Sequence, residues 1–399
     1  MNLLAIVWAQ TTRRPLQTAL SLALLALGVA TLVFVLVAQA QLMRQATRDV
    51  QGIDLVVGAK GSPLQLILAA VYHVDIPTGN VPLAAVDELR SNRYVAQVIP
   101  LALGDNYKGF RIVGSEPALI EHYGGRLAAG ALWDEPMQAV LGAAVARETA
   151  LALGARFAGT HGLATDGAVH EDAQYRVVGI LAPTGTVLDR LILTDLHSVW
   201  LVHEGEATHP EERRLLEAER EVTALLVRYA TPLAAALLPR QVNAQPALMA
   251  AVPATELARL FAVVGVGVEV LRAFGAILMG AALLALFVAL MNALEERRYD
   301  LAIMRLLGAS RARIAALLLI EAWLLAAVAL AVGFALALLA LYVVGAWLAQ
   351  ARSFVLTPLT WTPELALVVA SALATATFAA LVPAWRASRM DVHAALAQE

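Results

Sequence analysis

The chain of 399 residues has no cysteine. Disulfides, thiolate nucleophiles and cysteine-ligated metals are therefore excluded. Charge is scarce as well. Asp, Glu, Lys and Arg together make up 15% of the residues, against about 25% in ordinary soluble domains. The net charge of -3 supplies no basic field, so nucleic acid is not an expected partner. The phosphate-loop order G-x-x-x-x-G-K-[ST] is missing. Gly58-Ala-Lys60-Gly61-Ser62 has some of its letters in the wrong arrangement. No H-E-x-x-H motif, paired carboxylates or nucleophile–base pair stands out, so neither a catalytic residue nor a metal site is expected.

What fills the chain instead is hydrocarbon. Hydrophobic residues make up 60% of it, where soluble domains run at about 45–50%. The excess lies in four stretches long enough for spanning helices, each needing about 20 residues. The first is Leu16–Ala38. Thr12-Arg13-Arg14-Pro15-Leu16 resembles a twin-arginine export signal and Ala38-Gln39-Ala40 a cleavage site. The apolar run exceeds the roughly 7–15 residues of a signal peptide, so the helix is read as an anchor. The others fall within Val264–Ala293, Ile314–Ala349 and Leu365–Pro383. Arginines mark one membrane side: Arg13 and Arg14, then Arg297, Arg298, Arg305, Arg311 and Arg313, then Arg386 and Arg389. The short loop Gln350–Pro363 on the other side holds only Arg352. The positive-inside rule then places both termini in the cytoplasm.

Between the first and second spans the pattern changes. Strand-like runs include Ile53–Val57, Gln97–Leu101, Phe110–Val113 and Tyr175–Leu181. Helix-like runs include Leu83–Arg90, Ala143–Leu153 and Glu211–Glu221, with loops at Gly159–Asp172 and Glu204–Pro210. Strands and helices without strict alternation predict an α+β domain. The expected fold is an α-helical membrane protein with four transmembrane helices and this domain inserted between helices 1 and 2. Its parts are 1–40 (cytoplasmic N-terminus and first span), 41–263 (external domain) and 264–399 (spans two to four). Pro253 and Thr255 can open a helix running straight into the second span, long enough to stand out as a stalk carrying Glu256, Arg259, Glu269 and Arg272 on its aqueous part.

A polar island separates the second and third spans, with a helix expected at about 294–308. Leu294, Leu301 and Met304 share one face. Glu295, Glu296, Arg298 and Asp300 occupy much of the rest. Gly308 sits where a left-handed C-terminal cap belongs, and Ser310 can cap the next helix. The residues alone fit an interfacial anchor or a docking helix equally.

The run Glu296-Arg297-Arg298-Tyr299-Asp300-Leu301-Ala302-Ile303-Met304-Arg305-Leu306-Leu307-Gly308-Ala309-Ser310 closely resembles the signature of the FtsX-like (MacB/LolC-type, type VII) ABC transporter permeases. Asp300 stands where that pattern usually has Glu. Pro383-Ala384-Trp385-Arg386-Ala387-Ser388-Arg389 with Asp391-Val392 is similar to the family's C-terminal end. Val140–Val145 with Tyr175–Leu181 and Asp189 looks like its MacB-type periplasmic domain. The resemblance implies a permease that transmits motion from a separate ABC ATPase dimer, in the bacterial inner membrane, to its periplasmic domain. It implies no cofactor in this chain, ATP being bound by the partner ATPase. Glu295, Glu296, Arg297, Arg298, Asp300, Arg305 and Gly308 would couple to that ATPase, and Pro383, Arg386 and Arg389 form the C-terminal motif. A second permease copy, identical or a close paralogue, and a periplasmic partner protein complete the implied assembly. The cargo would be a lipoprotein, lipid, peptide or amphipathic compound. The alternative is a signalling scaffold that moves nothing and controls a periplasmic partner such as a cell-wall hydrolase or binding protein.

Other signals have blander readings. Lys60–Asp75 has an amphipathic stripe that fits a lipid-facing helix or, more usually, core. His161, His170, His203 and His209 lie in loop-like segments whose convergence on zinc the spacing does not show. Glu321, the lone acid in the third apolar stretch, is expected near the interface, snorkelling or paired. Gly333 and Gly345 can ease helix packing, within the chain or at a dimer seam.

Overall fold

The computed structural model describes residues 15–162, 169–204, 219–350 and 363–390. Arg13, Arg14, Arg352, His209, His393, Asp391, Val392 and the expected helix Glu211–Glu221 lie mostly or wholly outside them, as do the side chains of His161, His170 and His203. The chain divides into two compact units, one of Arg44–Ala262 and one of Met1–Met43 with Val263–Glu399.

The first unit is built on a ten-stranded sheet. Its strands are β1 (Leu55–Ala59), β3 (Val95–Tyr107), β4 (Phe110–Ser115), β5 (Leu127–Gly130), β6 (Gln138–Leu141), β7 (Arg156–His161), β8 (Val169–Leu181), β9 (Ile192–Thr194), β11 (Ala224–Tyr229) and β12 (Leu248–Ala251). The two short strands β2 (Val81–Pro82) and β10 (Glu221–Val222) pair separately. The order is β12-β1-β11-β3-β4-β9-β6-β8-β5, with β7 bridging β3 and β8. Only β4–β9 and β6–β8 run parallel among the described strands, which agrees with the α+β expectation.

Strand alternation sorts the side chains into separate cores. Leu55, Val57, Leu225 and Val227 enter one cluster, whereas Val56, Ala224 and Leu226 enter another on the opposite face. A third gathers Phe110, Ile112, Phe157 and Tyr175. The β3–β4 hairpin turns through Lys108 (φ 49°) and Gly109 (φ 77°). Two successive positive φ values make the turn whose twist matches the flanking strands. Asn106 Oδ1 accepts the Gly109 N–H at 2.8 Å and fixes it.

Expected helix limits shift at two places. The predicted Ala143–Leu153 helix ends at Thr149, because Ala150 takes a left-handed conformation (φ 57°). The Lys60–Asp75 stripe becomes the helix Pro63–Ala70, with Leu66, Ile67, Ala69 and Ala70 buried. The core reading therefore holds. Lys60 Nζ donates to the Asn243 carbonyl at 3.0 Å.

His73 follows that helix in a left-handed conformation (φ 56°). Burial, assisted by the nearby Arg111 guanidinium, pushes its imidazole down to about 3. The unfolded chain takes up a proton near pH 6.5 that the fold refuses. Stability should therefore fall as pH drops from about 6.5 toward 3, by at most about 1.4 kcal/mol per pH unit. His73→Asn, which tolerates the left-handed backbone, should show a smaller loss of Tm between pH 7 and pH 5, read by tryptophan fluorescence of the full chain. An equal loss in both proteins would remove His73 from the acid response.

Four helices are long and apolar enough to span a membrane: Pro15–Asp49, Pro253–Glu296, Arg311–Gln350 and Pro363–Ser388. The second helix begins on Pro253, as expected, and its 44 residues correspond to about 66 Å at 1.5 Å per residue. Glu256 differs from expectation. It is buried and paired with Arg259 at 2.8 Å, rather than lying on an aqueous face.

Small residues set the contacts between spans. The buried core of the spans gathers Ala326 and Ala329 of the third helix with Ala372, Ala376, Ala379 and Ala380 of the fourth. Without a hydrophobic driving force between helices in lipid, such close approach supplies the packing. Gly333 belongs within the chain: a Cβ there would lie 2.7 Å from the Ala26 carbonyl of the first span.

Candidate coupling site

The second span stops at Glu296, and a separate helix, Arg298–Leu306, follows after one residue. The single helix expected at 294–308 is thus divided. Arg297 marks the division (φ -97°, ψ 9°) and caps the new helix through its carbonyl alone, which accepts the Leu301 N–H at 2.9 Å. Its side chain points inward. Nη1 lies 3.0 Å from Oε2 and 3.3 Å from Oε1 of Glu321 on the third span. The two side chains are 11% and 5% exposed. A buried carboxylate is tolerated when a cation pairs with it and hydrogen-bonds to it, and Arg297 meets both conditions. Glu321 is therefore paired rather than snorkelling.

The short helix is amphipathic. Leu301 is buried with Ile314, Leu317 and Leu318 of the third span and Ala384 and Ala387 of the fourth. Leu294 joins them from the end of the second span, and Met304 and Met390 pack at the edge. Arg305 Nη1 donates to the Ser388 and Met390 carbonyls, each at 3.3 Å. Those carbonyls lie at the C-terminal end of the fourth helix, where a cation complements the helix dipole.

The turn that follows satisfies the last backbone groups of the short helix. Gly308 is left-handed (φ 94°). Its N–H donates to the Arg305 carbonyl at 3.0 Å, and the Ala309 N–H to the Met304 carbonyl at 2.9 Å. These are the paired bonds of a Schellman cap. Ser310 Oγ accepts the Arg313 N–H at 3.3 Å and opens the third span.

The sequence-predicted residues therefore divide by direction. Glu295, Glu296, Asp300 and Gly308 are exposed, while Arg298 is half-exposed beside Glu295 at 3.8 Å. Arg297 and Arg305 face inward, so they hold the helix in place rather than present charge. In the C-terminal motif Pro383 is buried, Arg386 is exposed, and the Arg389 guanidinium lies 4.7 Å from the centre of the Trp385 ring. Sequence reasoning missed the apolar part of the outer surface. Leu306 is 64% exposed, Leu307 is 83% exposed, and Tyr299 lies open nearby. Two leucines before a capping glycine, beyond the reach of the buried face, were the available signal. A helix held from behind, with an outward surface of leucine, tyrosine and carboxylates, is suited to seating in a groove on a protein partner. Among the described residues no group of three or more His, Asp or Glu is arranged to hold a metal.

Comparison with known proteins gives two family matches. Residues 272–392 match the FtsX-like permease C-terminal family, and residues 18–245 match the MacB-like periplasmic core domain. No curated protein matches the chain. Among solved structures, the periplasmic region of MacB from Actinobacillus actinomycetemcomitans is similar at 13% identity, over 53% of this chain and 95% of that one, with a TM-score of 0.34. The extracellular domain of the noncanonic ABC-type transporter YknZ from Gram-positive bacteria is similar at 11% identity, over 49% of this chain and 98% of that one, with a TM-score of 0.31. Neither likeness adds weight to the two family matches.

Proposed function

The chain belongs to the FtsX-like permeases that carry a MacB-like periplasmic core domain, and from that membership we propose that it is the mechanotransmitting subunit of an ATP-driven complex in a bacterial inner membrane. Its helix Arg298–Leu306 lies on the cytoplasmic side and seats in a separately encoded ABC ATPase dimer. ATP-driven closure of that dimer moves the four spans and, through the helices continuous with it, the periplasmic domain. A second permease copy completes the complex. The cargo is a lipoprotein, lipid, peptide or amphipathic compound already at the outer leaflet or in the periplasm.

The observation that carries this reading is the combination of a fastened inner face with an exposed leucine pair at the cap. Leu307, 83% exposed, lies outside the buried cluster that holds the other face of the helix, which leaves it open to a partner's surface. A few fully desolvated residues carry most of the affinity at protein interfaces, whereas exposed ion pairs contribute only about 0–1 kcal/mol.

Leu307→Asp therefore tests it. In co-purification of the full chain with its ABC ATPase, the variant should bind at least about tenfold more weakly, as expected for loss of an interface anchor. Its Tm should match that of the parent chain. Parent-like binding by Leu307→Asp would remove the docking role of this surface.

A further inference from the structure

The sequence predicts a single helix over about 294–308. The structure has a joint there and three fasteners elsewhere. The helix is interrupted at Arg297 on the side of the second span. The Arg297–Glu321 pair ties it to the third span at 3.0 Å. Leu301 packs against Ile314, Leu317 and Leu318 of that same span. The Schellman cap at Gly308 and the Ser310 cap join the two helices with only Leu307–Ser310 between them.

On the permease reading above, we propose that Arg297 and Glu321 are positioning residues that make helix Arg298–Leu306 a rigid extension of the third span. The nucleotide-driven stroke then enters the membrane bundle through the third span, and the second span flexes at Arg297. The physical ground is a difference in tethering. Both ends of the short helix have non-helical residues that can absorb dihedral change, but among the described residues only the junction with the third span is bridged by a buried ion pair. A buried ion pair cannot be stretched without exposing two uncompensated charges to an apolar surrounding.

The cysteine-free chain allows the test to be made with two pairs of nitroxide labels. Met304 packs at the edge of the buried face and is half-exposed, so a label there leaves the outward leucines and Tyr299 unaltered; Val328 on the third span and Leu284 on the second are exposed. Labels on Met304→Cys with Val328→Cys, and on Met304→Cys with Leu284→Cys, would be compared in the permease–ATPase complex, diluted with unlabelled chains. Distances would be read without nucleotide and with vanadate-trapped ADP. The expected result is an unchanged 304–328 distance and a shifted 304–284 distance. Adding Glu321→Gln should make the 304–328 distance shift on trapping while the ATPase still co-purifies. The exchanged pair Arg297→Glu with Glu321→Arg should hold it constant again, which a merely structural role would not require. A constant 304–284 distance with a shifting 304–328 distance would overturn the proposal. So would a failure of Glu321→Gln to alter the 304–328 response. If no ATPase assembles with the parent chain, the permease reading itself falls, and the clamp falls with it.

Discussion

Arg297→Met is expected to lower the stability of the membrane bundle by about 3–5 kcal/mol, the cost of leaving one member of a buried ion pair without its partner. Both groups are shielded, at 11% and 5% exposure, so solvent does little to relieve the abandoned Glu321 carboxylate. The informative comparison is with the double variant Arg297→Met and Glu321→Leu. Replacing both members by apolar groups removes the charge along with the partner, and such replacements are often neutral or stabilising. The double variant should therefore recover most of the Tm lost by the single one, measured on the full chain in detergent. Glu295→Ala supplies the contrast. That acid is 61% exposed and 3.8 Å from Arg298, a geometry in which the pair contributes about 0–1 kcal/mol. A single Arg297→Met variant as stable as its parent would show that the pair carries no structural load.

The second large effect is expected in the periplasmic domain. Gly130 closes β5 with φ 78°, opposite Gly179 of β8. A Cβ there would overlap the Val178 carbonyl oxygen and sit 2.9 Å from the Gly179 Cα. Gly130→Ala thus meets two penalties. The left-handed backbone costs about 1–2 kcal/mol. The overlap is with backbone, which cannot rotate away, and overpacking of this kind typically costs about 1–3 kcal/mol more. Gly154 separates the two contributions. It has φ 81° but nothing within 4 Å of its would-be Cβ, so Gly154→Ala should show only the first. The prediction is a Tm for Gly130→Ala well below that of Gly154→Ala. Equal values would mean that β5 moves aside freely at Gly130.

The sequence carried the architecture further than the site. Four apolar runs, and the change of period between the first and second, were enough for the spanning helices and the inserted α+β domain, because bilayer thickness and strand alternation act on composition directly. The cap at Gly308 was legible for the same reason: one residue type suits a left-handed position at little cost. The strand order was not legible, since β1 pairs with β11 and β12 from the far end of the domain, and nothing local marks such a partner. The division at Arg297 was hidden as well. Read alone, Asn292–Leu307 continues a helical pattern without Gly or Pro. What redirects the Arg297 side chain is Glu321, 24 residues away. The lone acid in an apolar stretch showed that a partner was needed, but not which of the nearby arginines would provide it. Arg297 and Arg305, which the family resemblance implies for ATPase coupling, turn their side chains inward to Glu321 and to the end of the fourth helix.

The alanines of the third and fourth spans have a mechanical consequence. Ala326, Ala329, Ala372, Ala376, Ala379 and Ala380 have no rotamers to exchange, so where they lie a displacement meets only methyl groups. Leu325, Leu341, Leu365 and Val368 are buried in the same core, and Trp323 Nε1 donates to Thr377 Oγ1 across the two helices at 3.0 Å. Those larger groups act as stops, and the methyl stretch between them leaves room for the small shear displacements by which packed helices move.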